Sequence, residues 1–195
     1  MPIAPPPPSA DGRRVRAQQT LRRLLEATVR LIARDGPAAV THRAVAAEAS
    51  LTKSVATYHF ATLDDLLTAA LVESTESYAR RAAADLPPDC PLSELAQHMV
   101  AFANDHREEV LASYELFLHA ARRPALRAAA LRWTEWTTGL ARRYTDDPVA
   151  IDAFVAALDG LGLHALLSDD PADPQRAARI LTRLLPAGSA TPGAG

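Results

Sequence analysis

An all-α fold is what the sequence predicts, on three observations. Alanine makes up about a fifth of the 195 residues and β-branched residues are sparse, a composition rich in good helix formers. No alternating strand pattern of useful length appears. Apolar residues recur instead at helical spacing. Prolines fall where one such pattern stops and the next begins, at Pro37, Pro87, Pro88, Pro91, Pro124, Pro148, Pro171 and Pro174.

Taken in order, residues 1–12 (MPIAPPPPSADG) read as a disordered, Pro-rich tail, and residues 187–195 (AGSATPGAG) as a second one. Leu21, Leu24, Leu25, Thr28, Leu31 and Ile32 share one face of a helix expected over 14–34. Gly36 ends it. Thr41 is a good N-cap for a short second helix reaching 49, with Ala44 and Val45 turned inward. Ser50 and Leu51 form a tight turn. Thr52 caps a third short helix over 53–59, whose buried pair is Ala56 and Phe60. A longer fourth helix starts near Leu63, with Asp64 and Asp65 in its first turn where carboxylates favour the helix dipole, and runs to 84. Five more helices are expected over 92–104, 106–122, 125–145, 149–167 and 174–185.

Several function classes are excluded by composition. The single cysteine, Cys90, rules out a disulfide framework and a multi-cysteine zinc site. No apolar run is read as approaching the roughly 20 residues of a membrane span, and no signal-peptide pattern is present, so a cytoplasmic protein without membrane association is expected. No HExxH, GxSxG, GxGxxG or phosphate loop occurs, so no enzyme, metal or cofactor is expected. Charge is uneven: residues 1–62 hold nine basic and four acidic residues, net +5, and the remainder is -7. A basic front on an acidic body suggests a polyanion partner for the front alone.

Two short helices joined by a tight turn suit a helix-turn-helix, whose second helix enters the major groove of DNA. With Ala56 and Phe60 inward, Lys53, Ser54, Val55, Thr57, Tyr58 and His59 are left outward: side chains suited to phosphates, base edges and a thymine methyl. The helix start, Thr52 to Ser54, offers backbone N–H groups to a phosphate. Thr41 and Arg43 are placed to clamp the DNA backbone from the other side, and Arg13, Arg14 and Arg16 to reach an adjacent minor groove.

The run LRRLLEATVRLIARDGPAAVTHRAVAAEASLTKSVATYHFATLDDLLTAAL resembles the N-terminal domain of tetracycline-repressor (TetR) family regulators. Gly36, Thr41, Ala46, Ala49, Tyr58, His59, Phe60, Leu66 and Leu67 match in order and spacing. The resemblance implies a DNA-binding domain over 13–62 and a helical regulatory and dimerisation domain over 63–186. It implies a homodimeric repressor on a palindromic operator in double-stranded DNA, released by a small-molecule effector. Three positions depart from the family pattern. Ser50 stands where glycine is preferred, Thr57 where many members carry tyrosine, and Leu63 where members usually have a phosphate-binding lysine.

The second half carries less signature. Ile151, Phe154, Val155, Leu158 and Leu161 form an apolar stripe on the eighth helix, with small residues at Ala156, Ala157, Gly160 and Gly162. Ile180, Leu181, Leu184 and Leu185 do the same on the ninth. These two helices are expected to pair with their symmetry copies in a four-helix bundle. Phe102, Tyr114, Phe117, Trp133 and Trp136 cluster on three middle helices and are expected to line the ligand site. The rival readings are a ligand-independent DNA-binding dimer controlled by a protein partner, and a helical enzyme.

Overall fold

The computed structural model describes residues 10–87 and 89–185, which form nine α-helices and one 3-10 turn, Pro37–Ala39. The helices are α1 (Ala10–Asp35), α2 (His42–Glu48), α3 (Lys53–His59), α4 (Leu63–Asp85), α5 (Leu92–Asp105), α6 (Arg107–Arg122), α7 (Pro124–Ala141), α8 (Pro148–Leu167) and α9 (Pro174–Leu184). No strand occurs among the described residues.

Two boundaries differ from expectation. Helix α1 already runs at Ala10, so residues 10–12 are helix rather than tail. Arg14 and Arg16 therefore stand exposed on a helix and not on a free arm. Residues 1–9, the side chain of Arg13 and the tail at 187–195 lie outside the described residues. Helix α7 stops at Ala141, short of 145. The chain tightens there through Arg143 and Tyr144 amides on the Leu140 and Ala141 carbonyls, and the Tyr144 hydroxyl donates to the Cys90 carbonyl at 2.9 Å. Cys90 is itself buried.

Local chemistry fixes the ends of the first four helices. Gly36, at φ 77°, supplies the left-handed backbone that stops α1. Thr41 caps α2 by accepting from the Ala44 amide at 3.0 Å. The end of α2 has the Schellman pattern: Leu51 N–H bonds the Ala46 carbonyl at 2.7 Å and Ser50 N–H the Ala47 carbonyl at 3.0 Å. That pattern needs a left-handed residue at position 50, and Ser50 takes it at φ 53° without being glycine. Helix α4 opens on a reciprocal capping box between Thr62 and Asp65, both bonds 3.0 Å.

Two apolar clusters hold the molecule. The first joins Leu24, Ile32, Val45, Ala56, Phe60, Leu66 and Leu67 from α1–α4. It also takes in Ala112, Leu116, Ala120, Leu126, Ala129 and Ala130 from α6 and α7. The helix-turn-helix thus has no core of its own, and the expected boundary at 62/63 runs through shared packing. The second cluster joins Tyr78, Leu95, Met99, Ile151, Phe154, Leu158 and Leu181, with Trp133, Trp136 and Phe102 packed against it.

Helix α8 corrects the sequence reading on membrane spans: by length and composition it is apolar enough to cross one, and only 28% of that stretch is buried. Its buried side, Ile151, Phe154 and Leu158, enters the second cluster, while Val149, Leu163 and Leu167 face outward. Helix α9 packs on its own chain through Leu181, with Leu185 just past its end also buried, while Ile180 and Leu184 are half-buried.

Two substitutions test the left-handed positions. Ser50→Gly removes about 1–2 kcal/mol of backbone strain and adds about 0.4–1 kcal/mol of unfolded-chain freedom, so urea unfolding should show a gain of about 0.5–1 kcal/mol. Gly36→Ala should cost about 1–3 kcal/mol by the same measurement, because φ 77° with ψ 167° is a backbone region that is essentially glycine's alone.

Candidate functional site

One face of the molecule is built around α3. Ala56 and Phe60 are buried and anchor the helix. Tyr58, one residue before His59 and Phe60, is 86% exposed, the most outward of the large apolar side chains. Its ring meets the half-buried His59 edge-on at 5.4 Å. Lys53, Ser54 and Thr57 are exposed beside it, and Val55 is half-buried. Thr41 and Arg43 are exposed at the start of α2. The arrangement brings all nine sequence-assigned residues of this face together at α2 and α3.

Two hydroxyls behave differently from the sequence reading. Thr52 does not cap α3 with its side chain; its hydroxyl bonds the Ser54 hydroxyl at 2.9 Å. The Thr57 hydroxyl donates back to the Lys53 and Ser54 carbonyls, both at 3.1 Å, which turns its methyl outward as the free surface.

Three basic residues counted toward the positive front are clamps inside it. Arg23 donates to the Ala49 carbonyl at 2.6 Å and so grips the turn between α2 and α3. Arg30 and Arg34 both pair with Glu48 at the end of α2, at 3.0 and 3.3 Å. Their hydrogen bonds hold the Glu48 carboxyl below the usual carboxylate range. The His42 Nε2 lies 2.9 Å from the Phe60 carbonyl and ties the start of α2 to the end of α3. Sequence reasoning missed these clamps, although Arg30 and Arg34 at i, i+4 on one face of α1 are a readable signal.

The second candidate site lies between α4, α5, α7 and α8. Tyr78 of α4 is its hub, with ring-centre distances of 4.3 Å to Phe102, 5.7 Å to Trp133 and 5.2 Å to Trp136. Trp133 and Trp136 lie 5.4 Å apart. The Trp133 indole donates to the Asp159 carboxylate at 2.9 Å. Tyr114 reaches α8 separately and donates to the Asp159 carbonyl at 2.6 Å. Gly162 permits that approach, since a Cβ there would sit 2.5 Å from the Tyr114 hydroxyl. Phe117 does not join the cluster. It is 38% exposed, because Leu116 beside it fills the first core and turns position 117 outward.

Sequence reasoning missed Tyr78 and Asp159. Tyr78 was legible as the continuation of the Leu71, Thr75, Tyr78, Ala82 face of α4, all four buried. Asp159 was legible as an acid within the apolar run of α8. Burial raises the phenol pKa of Tyr78 and of Tyr114, so both stay neutral and can donate. The Tyr78 hydroxyl is buried and finds no hydrogen-bond partner among the described residues.

Beside this cluster runs an open cleft of about 870 Å³ between α1, α4 and the start of α6. Its walls carry charges of both signs, including Arg22, Glu26, Glu73, Arg81 and Glu109. Phe102 separates cleft from cluster: the Arg81 guanidinium lies 5.4 Å from its ring centre and His106 stacks on it edge-on at 4.3 Å.

Burial raises the Asp159 carboxyl pKa, with the Trp133 hydrogen bond opposing it in part. A carboxyl that holds its proton more tightly folded than unfolded costs stability as pH rises from the unfolded pKa through the folded one. Asp159→Asn removes that cost and keeps the acceptor for Trp133. Its melting temperature should exceed the parent's at pH 7, and the gap should close as pH falls below 4; equal melting temperatures at both pH values would refute the desolvation argument.

Comparison with known proteins bears on both sites. The family model described as bacterial regulatory proteins, tetR family, matches residues 24–70, and that described as Tetracyclin repressor-like, C-terminal domain, matches residues 91–187. No curated protein matches. Among solved structures, the multidrug binding protein EbrR complexed with imidazole is 41% identical, with a TM-score of 0.73 over 87% of this chain and 97% of that one. The same protein complexed with ethidium is 42% identical, with a TM-score of 0.72 over 86% and 99%. A TetR family member from Streptomyces coelicolor A3 is 42% identical, with a TM-score of 0.77 over 86% and 99%. Identity at that level over nearly the whole of both chains is a family relation, and this chain belongs to the TetR family of DNA-binding transcriptional regulators.

Proposed function

We propose that the chain is a cytoplasmic, homodimeric repressor that leaves a palindromic operator when a small molecule binds its helical body. The observation that carries the reading is Tyr58, a phenol 86% exposed on a helix held from both ends by Arg23 and His42. A large aromatic kept outward on so firmly held a helix is placed for use against a partner, not for packing.

In this reading α3 enters the major groove. Tyr58 and His59 contact phosphate or base edges, and Lys53 a phosphate. The Thr57 methyl and Val55 suit a thymine methyl, and Thr52 and Ser54 present hydroxyls to the backbone. Thr41 and Arg43 flank the groove from α2. Residues 13–62 read DNA and residues 63–186 regulate, although the two share one core.

The exposed face of α8, with Val149, Ala156, Leu163 and Leu167, supports pairing with a second copy. Two recognition helices related by a two-fold axis then read half-sites about 34–36 Å apart or in a wider spacing. The effector site is the cluster of Phe102, Trp133, Trp136 and Tyr78, with Tyr114 at its α8 edge. The complexes of EbrR with imidazole and ethidium support a small-molecule effector here. A 100-fold loss of operator affinity on effector binding requires about 2.7 kcal/mol of coupling.

Two experiments check this reading. Binding to the DNA upstream of the chain's own gene, and to a random-sequence pool, should be sequence-preferring and fall steeply with salt. Tyr58→Ala should weaken it at least ten-fold, and Lys53→Ala should make the salt slope shallower by about 1. Binding to no member of the pool would sink the regulator reading. Separately, Leu167→Glu places a charge on the α8 face, where Leu167 is 78% exposed. Sedimentation should show monomers for this variant and dimers for the parent.

A further inference from the structure

Asp159 sits in the middle of α8, whose only other ionisable side chains are Asp152 and His164. It is half-buried, and the Trp133 indole on one carboxylate oxygen is its side-chain partner. No cation among the described residues pairs with it: Arg132 is engaged by Glu76 and Arg81 by Glu109. A carboxylate has room for about four hydrogen bonds. Left half-buried with one donor and no counter-charge, it is a cost that an apolar side chain would not carry.

The surroundings give that cost a use. The Trp133 ring that donates to Asp159 also packs against Tyr78 and Trp136. Aromatic faces carry negative electrostatic potential and attract cations. The buried Tyr78 hydroxyl, 6% of its residue exposed, has no partner and stands among these rings. Tyr114 holds the Asp159 backbone through its carbonyl, so the carboxylate's position is fixed from below by α6. A neutral ligand leaves the carboxylate unpaired, and an anionic one meets its repulsion.

We propose that the effector site takes a lipophilic organic cation, with the Asp159 carboxylate as its counter-charge and the rings of Trp133, Trp136 and Tyr78 as its apolar contacts. This rests on the reading of the cluster as the effector site. The Trp133 hydrogen bond aims the carboxylate, and charge at position 159, not shape, selects the ligand.

The test compares N-methylacridinium with acridine at pH 8, two three-ring probes of nearly the same shape that differ in charge. Trp133 and Trp136 are the only tryptophans in the chain, so quenching of their fluorescence reports on this cluster. The full-length parent should bind the cation at least ten-fold more tightly than acridine. Asp159→Asn should erase that preference by weakening the cation alone, and Asp159→Glu, which restores the charge, should recover part of it. Thermal unfolding of each variant shows that it is folded. Equal binding of both probes by the parent, or a preference that survives Asp159→Asn, overturns the cation assignment and leaves the effector site standing. Failure of both probes to quench the parent at any concentration overturns the site itself, and the cation assignment with it.

Discussion

The short helices α2 and α3 cannot hold themselves. Each has seven residues, far below the roughly 12–15 at which an isolated helix becomes even marginal in water. They exist because Val45, Ala56 and Phe60 close against Leu24 and Ile32 of α1 and against Leu66 of α4. That surface is still incomplete without Leu116 of α6 and Leu126 of α7, both fully buried in the same cluster. The orientation of α3 is therefore a property of the whole body, not of its first 62 residues.

Two helices belong to both clusters. Helix α4 gives Leu66, Leu67, Ala70 and Leu71 to the first and Tyr78 and Ala82 to the second. Helix α7 gives Leu126, Ala129 and Ala130 to the first, and Trp133 and Trp136 pack on the second. From Asp65 in the capping box to Tyr78 is 13 residues, about 20 Å of continuous helix. Close-packed interiors rearrange between discrete packings rather than deform smoothly. At the proposed effector site, an insertion beside Tyr78 and Trp133 would thus move two rods whose other ends floor α3. The Arg123–Asp64 pair, where α6 meets α7, fastens the start of α4 to the same junction. The shared membership of α7 emerges only from packing.

What was legible in the sequence follows from how local each signal is. Gly36, Thr41 and the Ser50 turn act over three or four residues, so the first three helices and their outward side chains could be read directly. Burial in the second half is not local. Periodicity places Tyr114 and Phe117 on neighbouring faces, yet cannot say which face meets another helix. Leu116 and Tyr114 have partners on two sides of α6, and Phe117 is left outside. Net charge is legible as a sum but not as a destination, which is why Arg23, Arg30 and Arg34 counted toward a DNA surface while they in fact hold α2 in place. The apolar stripe read on α8 does not say which part is open; Ile151, Phe154 and Leu158 prove to be occupied, and Val149, Leu163 and Leu167 are left outward.

Four places where this chain breaks local rules lie at the two candidate sites. Ser50 bears left-handed backbone at the turn that aims α3. Tyr58 leaves a large ring in water on the outward face of α3. Tyr78 buries a phenol oxygen without a partner, and Asp159 carries a desolvated charge without a cation, both in the aromatic cluster. Other caps and clamps are satisfied: Thr62 with Asp65, Asp147 and Asp173 at their helix starts, and Glu48 with two arginines. These four departures fall at two separated sites joined by shared helices, where the proposed partners would arrive. One site lacks something for an outward phenol to touch; the other lacks a donor and a positive charge.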